Sequence, residues 1–161
     1  MEVRIRLYQQ SDAADVVRLS LRAWAPVFDS ELATIGAELF ERLEGHDWRV
    51  RQQKDVEDVL ADERTTVWVA DVAGRAVGFA AGRLDPDRGM GEIYMVAVDP
   101  DHQGRGFGLA LTNVATEWIR EAGLPVAVVE TGGDDGHEPA RRVYEAAGFT
   151  PMPIVRYFKA L

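Results

Sequence analysis

A strand, a glycine-rich loop and the start of a helix follow one another in the middle of the chain, and this stretch constrains the fold most. Residues 93–98, IYMVAV, are continuously apolar or aromatic, which is typical of a strand covered on both faces. A proline within 99–101 ends the strand, because proline has no N–H for a ladder and favours a turn. Gly104, Gly106 and Gly108 then let backbone N–H groups converge where a helix begins. Unpaired N–H groups and the positive end of the helix dipole predict a phosphate or pyrophosphate site here.

Other nucleotide-binding glycine loops differ from this one. A dinucleotide loop reads Gly-x-Gly-x-x-Gly and opens a βαβ unit, whereas the spacing here is Gln103-x-x-Gly106-x-Gly108, well past the middle of the chain. No Gly-Lys-Ser/Thr follows, which excludes a Walker loop. A loop with a purely structural role is the remaining alternative.

The charge balance favours some partners over others. The 161 residues carry 18 Lys and Arg against 27 Asp and Glu, for a net charge of −9. Nucleic acids and anionic membranes need clustered positive charge, so we expect neither as a partner. An acidic chain suits a cationic or amine-bearing partner better.

Cysteine usage and apolar runs set the expected compartment. The chain has no cysteine, which excludes disulfides, thiol nucleophiles and thiolate metal sites. No His, Asp and Glu group has metal-ligand spacing, so no metal is expected. Residues 1–8 lack the apolar core of a signal peptide, and no apolar run approaches the roughly 20 residues of a membrane helix. We therefore expect a cytoplasmic protein.

Apolar periodicity and turn signals predict the order of elements as βααββ(β)αβαβ. A strand-rich middle joined to one parallel crossover indicates a mixed sheet with helices on both faces. Proline at position 26 is expected to end the first helix. The predicted strands are at 3–7, 66–72, 77–83, 92–98, 125–130 and 154–160, with a hairpin turn at 73–75. The predicted helices run from 11 to 26, through the apolar stripe at 32–43, over the short acidic segment 54–62, up to about 122, and over 138–147, with a loop at 45–51.

Two motifs at their present separation resemble the GNAT superfamily of N-acetyltransferases. Residues 103–108, directly after the strand, are similar to that family's acyl-coenzyme A loop. Residues 139–149, which contain a tyrosine and end in Gly-Phe, are similar to its later helix. The resemblance spans essentially the whole chain. It implies a single GNAT-like acetyltransferase domain over residues 1–161, of α/β (α+β) class, with a mixed and mostly antiparallel central sheet and helices on both faces. It also implies acetyl-CoA as co-substrate, and it leaves a homodimer open.

By motif position, the resemblance assigns coenzyme contacts to the loop and to the later helix. In the family, backbone amides of the loop hold the pyrophosphate, and the end of the preceding strand lies beside it. The family often has asparagine seven residues before the tyrosine, where this chain has His137, whose ring nitrogen can donate similarly. Local positive charge is expected from Arg105 and Arg141, each of which is equally explained as a solvated surface arginine. The expected coenzyme-binding residues are Val96, Val98, Gln103, Gly104, Arg105, Gly106, Phe107, Gly108, His137 and Arg141.

The family's mechanism is direct attack of a neutral amine on the thioester, which needs a base, an N–H donor for the oxyanion and an acid for the thiolate. Glu92 lies where some members carry a base glutamate. The alternative bases are Glu130 and bound water. In that case Glu92 would be a solvated residue at the start of the strand. Tyr144 matches the tyrosine that can protonate the thiolate, and a packing role is its alternative. The strand is expected to bulge, so that the amide of Met95 or Val96 points at the acyl carbonyl.

The acceptor cleft in this fold lies between the first helices, the 84–91 loop and the final strand. Aromatics and carboxylates together suit an ammonium group, and the candidate residues are Trp24, Phe28, Asp29, Asp85, Glu130, Tyr157 and Phe158. Trp24 and Phe28 are equally explained as core residues. The resemblance predicts acetyl transfer to a primary amine, with a small molecule as the favoured acceptor. A protein N-terminal or lysine acetyltransferase and a non-catalytic acyl-CoA sensor are the alternatives.

Overall fold

The computed structural model describes residues 3–161, and residues 1 and 2 of the predicted domain lie outside the described residues. Within that range, five strands form one sheet in the order β1-β2-β3-β4-β5. The strands are β1 (Arg4–Leu7), β2 (Thr65–Val72), β3 (Arg75–Asp85), β4 (Met90–Val98) and β5 (Val126–Val129). The helices are α1 (Ala13–Ile35), α2 (Ala37–Glu44), α3 (Trp48–Ala61), α4 (Phe107–Glu121) and α5 (Glu138–Ala146).

The sheet is antiparallel except at one edge. Strands β1 to β4 each run antiparallel to their neighbour, and β5 runs parallel to β4. Parallel neighbours need a long crossover, which α4 provides here. Over residues 3–161, no helix is both long enough and apolar enough to cross a bilayer. The mixed, mostly antiparallel sheet confirms the predicted fold class.

Helices cover both faces of the sheet and create two cores. On one face, α1 and α3 pack on the sheet, with Leu19, Val56 and Phe79 buried there. On the other, α4 packs through Leu111 and Ile119. Fully burying an aliphatic or aromatic side chain of this size contributes about 1.5–3 kcal/mol, so the two cores hold both helical layers to the sheet.

Helix α1 runs through Pro26, so the predicted helix end at this residue is wrong. Proline removes one backbone hydrogen bond from a helix interior, which is the reason to expect an end. Packing on both sides of the proline outweighs that loss. Trp24 contacts Phe79 edge-on at 6.1 Å, and Phe28 stacks on Trp48 at 4.3 Å between ring centroids.

The segment expected to be a loop between the second helix and the acidic helix is partly helical. Helix α3 begins at Trp48, well before residue 54 where the acidic helix was expected. The Asp47 side chain accepts a hydrogen bond from the backbone N–H of Arg49, at 3.0 Å, which is the usual N-cap arrangement. Trp48 is buried, so an apolar anchor and a cap together start this helix early.

The strand expected over 154–160 is not formed. Helix α5 ends at Ala146, and the Phe149 N–H donates to the Tyr144 carbonyl at 3.0 Å, which closes the helix end. Residues 150–161 pair with no strand of the described chain and are mostly exposed. A strand needs a partner for its backbone groups, whatever its apolar pattern. Strand β5 is therefore left as an edge.

A buried carboxylate at the end of β4 ties the α1 layer to the loop that precedes α4. Arg22 donates to both oxygens of Asp99, at 2.7 and 2.8 Å, and Arg18 donates at 3.1 Å. The Asp101 N–H donates to the same carboxylate at 3.0 Å. Burial by itself would raise the pKa of Asp99, but this N–H and the arginines outweigh it and hold the pKa below its ordinary value.

We expect Asp99→Asn to lower the free energy of unfolding by about 1–3 kcal/mol, because two charge-assisted hydrogen-bond partners lose their anion. Urea unfolding followed by circular dichroism measures this. Asp101→Asn is the matched control, since Asp101 accepts from the same Arg22 at 3.1 Å but is exposed. It should cost less than about 1 kcal/mol.

The effect should depend on pH with a defined sign. A carboxyl whose folded pKa is depressed stabilises the fold above its unfolded pKa of about 3.9, and this contribution is lost as pH falls through the folded pKa. The stability difference between the wild-type chain and Asp99→Asn should therefore shrink as pH is lowered below about 4. A difference that stays constant would contradict the role given to the ionised Asp99.

Candidate functional site

Strands β4 and β5 pair for only part of the length of β4. Their register runs from Met90 opposite Val126 to Ile93 opposite Val129, and β5 ends there. Strand β4 continues to Val98, paired on its other side with β3. Among residues 3–161 no strand covers the β5 side of β4 beyond Ile93, so backbone groups face a gap between the two strands.

Strand β4 bulges where this gap opens. Met95 lies opposite Ala81, but Ile93 lies opposite Gly82, so Tyr94 is the extra residue. A bulge bends its strand and redirects neighbouring backbone groups. The expected bulge is therefore present.

The glycine loop ends at the first turn of α4. Gly104 and Gly106 have φ of +73° and +84°, and a Cβ added at either would meet no atom within 4 Å. Both glycines therefore border open space, and Gly106 is the N-cap residue of α4. The Gln103 side chain donates to the Val98 carbonyl at 3.0 Å, which closes the loop onto the strand end. This loop fits the pyrophosphate of a coenzyme, because free helix N–H groups and the helix dipole meet there.

Two loop residues also position the helices. The Phe107 side chain is buried in the α4 core, so it anchors the start of the helix and leaves only its backbone toward the loop. A Cβ at Gly108 would lie 3.6 Å from Val143 of α5. Helix α5 thus passes close to the first turn of α4. Arg105 is exposed beside them.

Tyr144 lies on α5, partly buried. Its ring contacts Phe149 edge-on at 6.2 Å. Burial raises the pKa of Tyr144 to about 12, so the phenol keeps its proton near neutral pH. A neutral phenol can donate that proton, which is the property expected of the acid.

Of the expected coenzyme contacts, His137 ends the loop between β5 and α5, and Arg141 lies on α5 and contacts that loop. The Nδ1 atom of His137 is 2.5 Å from one oxygen of Asp134, and the Ser30 hydroxyl of α1 donates to the other oxygen. Arg141 donates to the carbonyls of Gly132 and Asp134, at 2.6 and 2.7 Å. These contacts hold the loop between β5 and α5 against α1. His137 and Arg141, both expected to contact the coenzyme, therefore also have a structural role.

Glu92 faces the α1 and α3 side of the sheet. Its neighbours Gly91 and Ile93 pack against α4, and successive strand residues alternate between faces. Arg83 lies directly across from Glu92 on β3, with its guanidinium 4.1 Å above the ring centre of Tyr94. Directly opposed residues share one face. The predicted base therefore lies among charged and aromatic groups near the bulge.

The expected acceptor residues occupy separate places. Trp24 and Phe28 both lie on α1. The ring of Trp24 contacts Phe79 of β3, and the ring of Phe28 stacks on Trp48 of α3. Asp85 accepts from the Arg88 N–H at 3.2 Å, which forms the turn between β3 and β4. Glu130 is exposed just after β5.

Val96, which was expected to contact the coenzyme, lies against the α4 core.

Sequence reasoning missed two charged residues, one beside Glu92 and one on α1. Arg83 could have been found by counting back from the β3–β4 turn, since Asp85 pairs with Met90. Glu31 of α1 had no sequence signal. Burial, followed by the nearby charge of Glu44, raises its pKa. In the part of the chain described, no three His, Asp or Glu residues cluster closely enough to hold a metal ion.

Residues 31–149 match the model of the Acetyltransferase (GNAT) family. This match covers more than half of the chain, so the chain belongs to the GNAT acetyltransferase family. The family predicted from the sequence is therefore confirmed.

Named relatives and solved structures agree with this assignment. The mycothiol acetyltransferase of Rhodococcus jostii is 31% identical over 147 residues, covering 81% of this chain and 45% of that protein. That of Thermomonospora curvata is 39% identical over 88 residues, covering 55% of this chain and 29% of that protein. The chain thus spans less than half the length of these curated relatives.

Two solved structures share the fold. A putative GNAT acetyltransferase from Desulfovibrio desulfuricans is 25% identical, with a TM-score of 0.67 over 96% of this chain and 89% of that chain. AAC(6')-Iy, in complex with a bisubstrate analogue, CoA-S-monomethyl-acetylneamine, is 18% identical, with a TM-score of 0.68 over 100% and 99% of the two chains. The second similarity shows the fold alone.

We expect Gly106→Glu to weaken acetyl-CoA binding at least about 100-fold, or about 2.7 kcal/mol, because a carboxylate would enter the phosphate cradle. Isothermal titration calorimetry measures the affinity. Gly123→Glu is the matched control: its φ is +80°, against +84° at Gly106, and an added Cβ there also meets nothing within 4 Å. Both variants carry the same backbone strain and charge. Equal affinities in the two would contradict the loop assignment.

Proposed function

We propose that this protein transfers the acetyl group of acetyl-CoA to the primary amine of a small molecule by direct attack of the amine. The observation that carries the proposal is the gap beside β4, which opens at the Tyr94 bulge and leads to the glycine loop. A gap of this kind exposes strand amides on one side and helix N–H groups at its end. It suits a long, thin coenzyme with an acyl group at one end and phosphates at the other.

The coenzyme would lie along the unpaired side of β4. Backbone amides from Gly104 to Gly108 would hold the pyrophosphate, with Arg105 adding positive charge. The thioester would then reach the bulge, where the amide of Met95 or Val96 would donate to the acyl oxygen. A donor fixed before the reaction stabilises the charge that develops on this oxygen.

Two side chains would move protons. Glu92 would take a proton from the attacking amine, directly or through water, since its side chain is only partly buried and lies two residues before the Tyr94 bulge. Tyr144 would give a proton to the departing thiolate, because a phenol is neutral near pH 7 and can donate its proton. Glu130 and bound water are the rivals for the role of base.

The charge of the chain favours a cationic acceptor. The chain has a net charge of −9. An excess of negative charge attracts positively charged ligands. Relatives named for mycothiol, and a structural neighbour bound to an analogue of acetylated neamine, make small amines the first acceptors to test.

The remaining expectations belong to the same proposal. Residues 1–161 would form one acetyltransferase domain, with the cytoplasm as its compartment because the chain carries no cysteine for disulfides. Acetyl-CoA, an amine and a second copy of the chain would be its partners.

A thiol-release assay with acetyl-CoA and a panel of amines tests the function. The panel should contain mycothiol-related amines, aminoglycosides, polyamines, amino acids and peptides with free N-termini or lysines. We expect release with at least one small amine. Release with peptides alone would favour protein acetylation, and acetyl-CoA binding without release on any amine would favour a sensor.

We expect Tyr144→Phe to lower kcat about 100-fold, within the range for loss of a general acid, with acetyl-CoA affinity unchanged. Steady-state kinetics together with calorimetry separate the two quantities. Tyr157→Phe removes a hydroxyl from a tyrosine that is 89% exposed, and it should leave kcat unchanged. Equal kcat in wild type and Tyr144→Phe would reduce Tyr144 to a packing role.

The base is tested by a pair of substitutions that remove one carboxylate each. Glu92→Gln should lower kcat at least about 100-fold near neutral pH, because the amide cannot accept the amine proton. Glu130→Gln should leave kcat within about twofold of wild type, since an exposed glutamate after β5 takes no part in the step. The opposite ranking in steady-state kinetics would make Glu130 the base, and no effect from either would favour water.

A further inference from the structure

A polar cluster joins α1 to the loop between β5 and α5. The Ser30 hydroxyl donates to one oxygen of Asp134, and the Nδ1 atom of His137 lies 2.5 Å from the other oxygen. The Gly136 N–H donates to the Ser30 hydroxyl oxygen at 3.1 Å. Ser30 therefore both donates to this loop and accepts from it, which fixes the position of the loop on α1.

Asp134 contacts α5 as well as α1. Its carbonyl accepts from the Arg141 guanidinium at 2.7 Å and from the His137 N–H at 3.1 Å. Arg141 lies three residues before Tyr144 on α5, and residues three apart are neighbours on a helix surface. Asp134 therefore reaches α1 through its carboxylate and, through its carbonyl, the turn of α5 that carries Tyr144.

Charge strengthens the contact with α1. Burial by itself would raise the pKa of Asp134, but the hydrogen bonds with Ser30 and His137 outweigh it and hold the pKa below its ordinary value. The carboxylate is thus ionised near neutral pH and can only accept, so the Nδ1 atom of His137 carries the hydrogen. Hydrogen bonds to an ionised group are about twice as strong as those between neutral groups.

The close approach of the loop to α1 depends on Gly136. A Cβ added there would lie 2.5 Å from the Ser30 Cβ and 3.0 Å from the Pro26 carbonyl oxygen. At Gly133, in the same loop, an added Cβ would meet nothing within 4 Å. A side chain at position 136 would thus push the loop away from α1, whereas one at position 133 would not.

The glycine loop is held by other contacts. Gln103 closes it onto the end of β4. Helix α5 meets the first turn of α4 at Val143, which lies 3.6 Å from the position of a Cβ added to Gly108. Loss of the polar cluster would therefore shift the start of α5 without removing the contacts that hold the glycine loop.

We propose that Ser30 and Asp134 are positioning residues for acetyl transfer, which hold the start of α5 against α1 and so direct the Tyr144 phenol at the departing sulfur. This role rests on the proposed function, in which Tyr144 is the acid. In that step the bond between the acyl carbon and sulfur breaks, and its electron pair stays on sulfur. The phenol proton moves to this sulfur, and the phenolate regains a proton from water.

Removal of the carboxylate tests the role. We expect Asp134→Ala to lower kcat about tenfold, because small displacements of a reacting group slow a reaction strongly, and to leave acetyl-CoA affinity within about twofold of wild type. Thiol release with the fastest-reacting amine of the panel gives kcat, and calorimetry gives the affinity. Asp135→Ala is the matched control, since the neighbouring carboxylate is exposed, and it should change neither quantity.

A second pair of variants disturbs the same contact without removing a charge. Gly136→Ala should lower kcat about tenfold, because its methyl group separates the loop from α1. Gly133→Ala adds the same methyl group in open space and should leave kcat unchanged. Circular dichroism checks that each variant is folded, and Gly136→Ala replaces Asp134→Ala in the cycle with Tyr144 if the latter does not fold.

A double-mutant cycle shows whether the effect passes through Tyr144. In the Tyr144→Phe background, Asp134→Ala should change kcat by less than about twofold, because no phenol proton remains to be directed. Equal losses in both backgrounds, an unchanged kcat in Asp134→Ala, or a matching loss of acetyl-CoA affinity would overturn the proposal while the proposed function stands. A wild-type chain that releases no thiol with any amine would overturn the function and this role together.

Discussion

The structure depends on one buried carboxylate at the end of its central strand. Asp99 receives hydrogen bonds from Arg18 and Arg22 of α1 and from the Asp101 N–H. Its own N–H donates to the Val77 carbonyl of β3 at 2.8 Å. One residue therefore connects the α1 layer, the sheet and the loop that leads to α4. Since the glycine loop begins four residues further on, this contact helps to set the position of that loop relative to the sheet.

Strand β4 carries the rest of the candidate site because its two sides differ. On one side, β3 pairs along its whole length, apart from the bulge at Tyr94. On the other, β5 leaves it after Ile93. Strand β4 is thus held in place by β3 on one side, while on the other side its backbone groups beyond Ile93 have no strand partner in the described chain. Helix α4 can pack close to this strand only because Gly91 has no side chain, since a Cβ there would lie 2.4 Å from Ile119. A binding site is most precise when the groups that contact the ligand belong to a rigid element, and strand β4 meets that condition.

Local patterns predicted most of this arrangement, and long-range contacts account for what they missed. The glycine loop, the hairpin and the buried strands follow from spacing alone. Continuation of α1 through Pro26 does not, because it depends on Phe28 meeting Trp48, which lies 20 positions along the chain. The proximity of Arg83 to Glu92 needs the register of two strands. The missing last strand has a third cause: its apolar pattern favours a strand, but residues 150–161 lie beside no strand of the described chain.

The short pairing of β5 bears on the coenzyme gap itself. Strand β5 is held to the sheet by only four residue pairs, and the gap exists because β5 stops following β4. These four pairs are therefore the backbone contact that fixes β5 beside β4 and sets where the gap begins. The groups proposed to react lie on β4 and α5, so the wall of the gap and its chemistry are supplied by different elements.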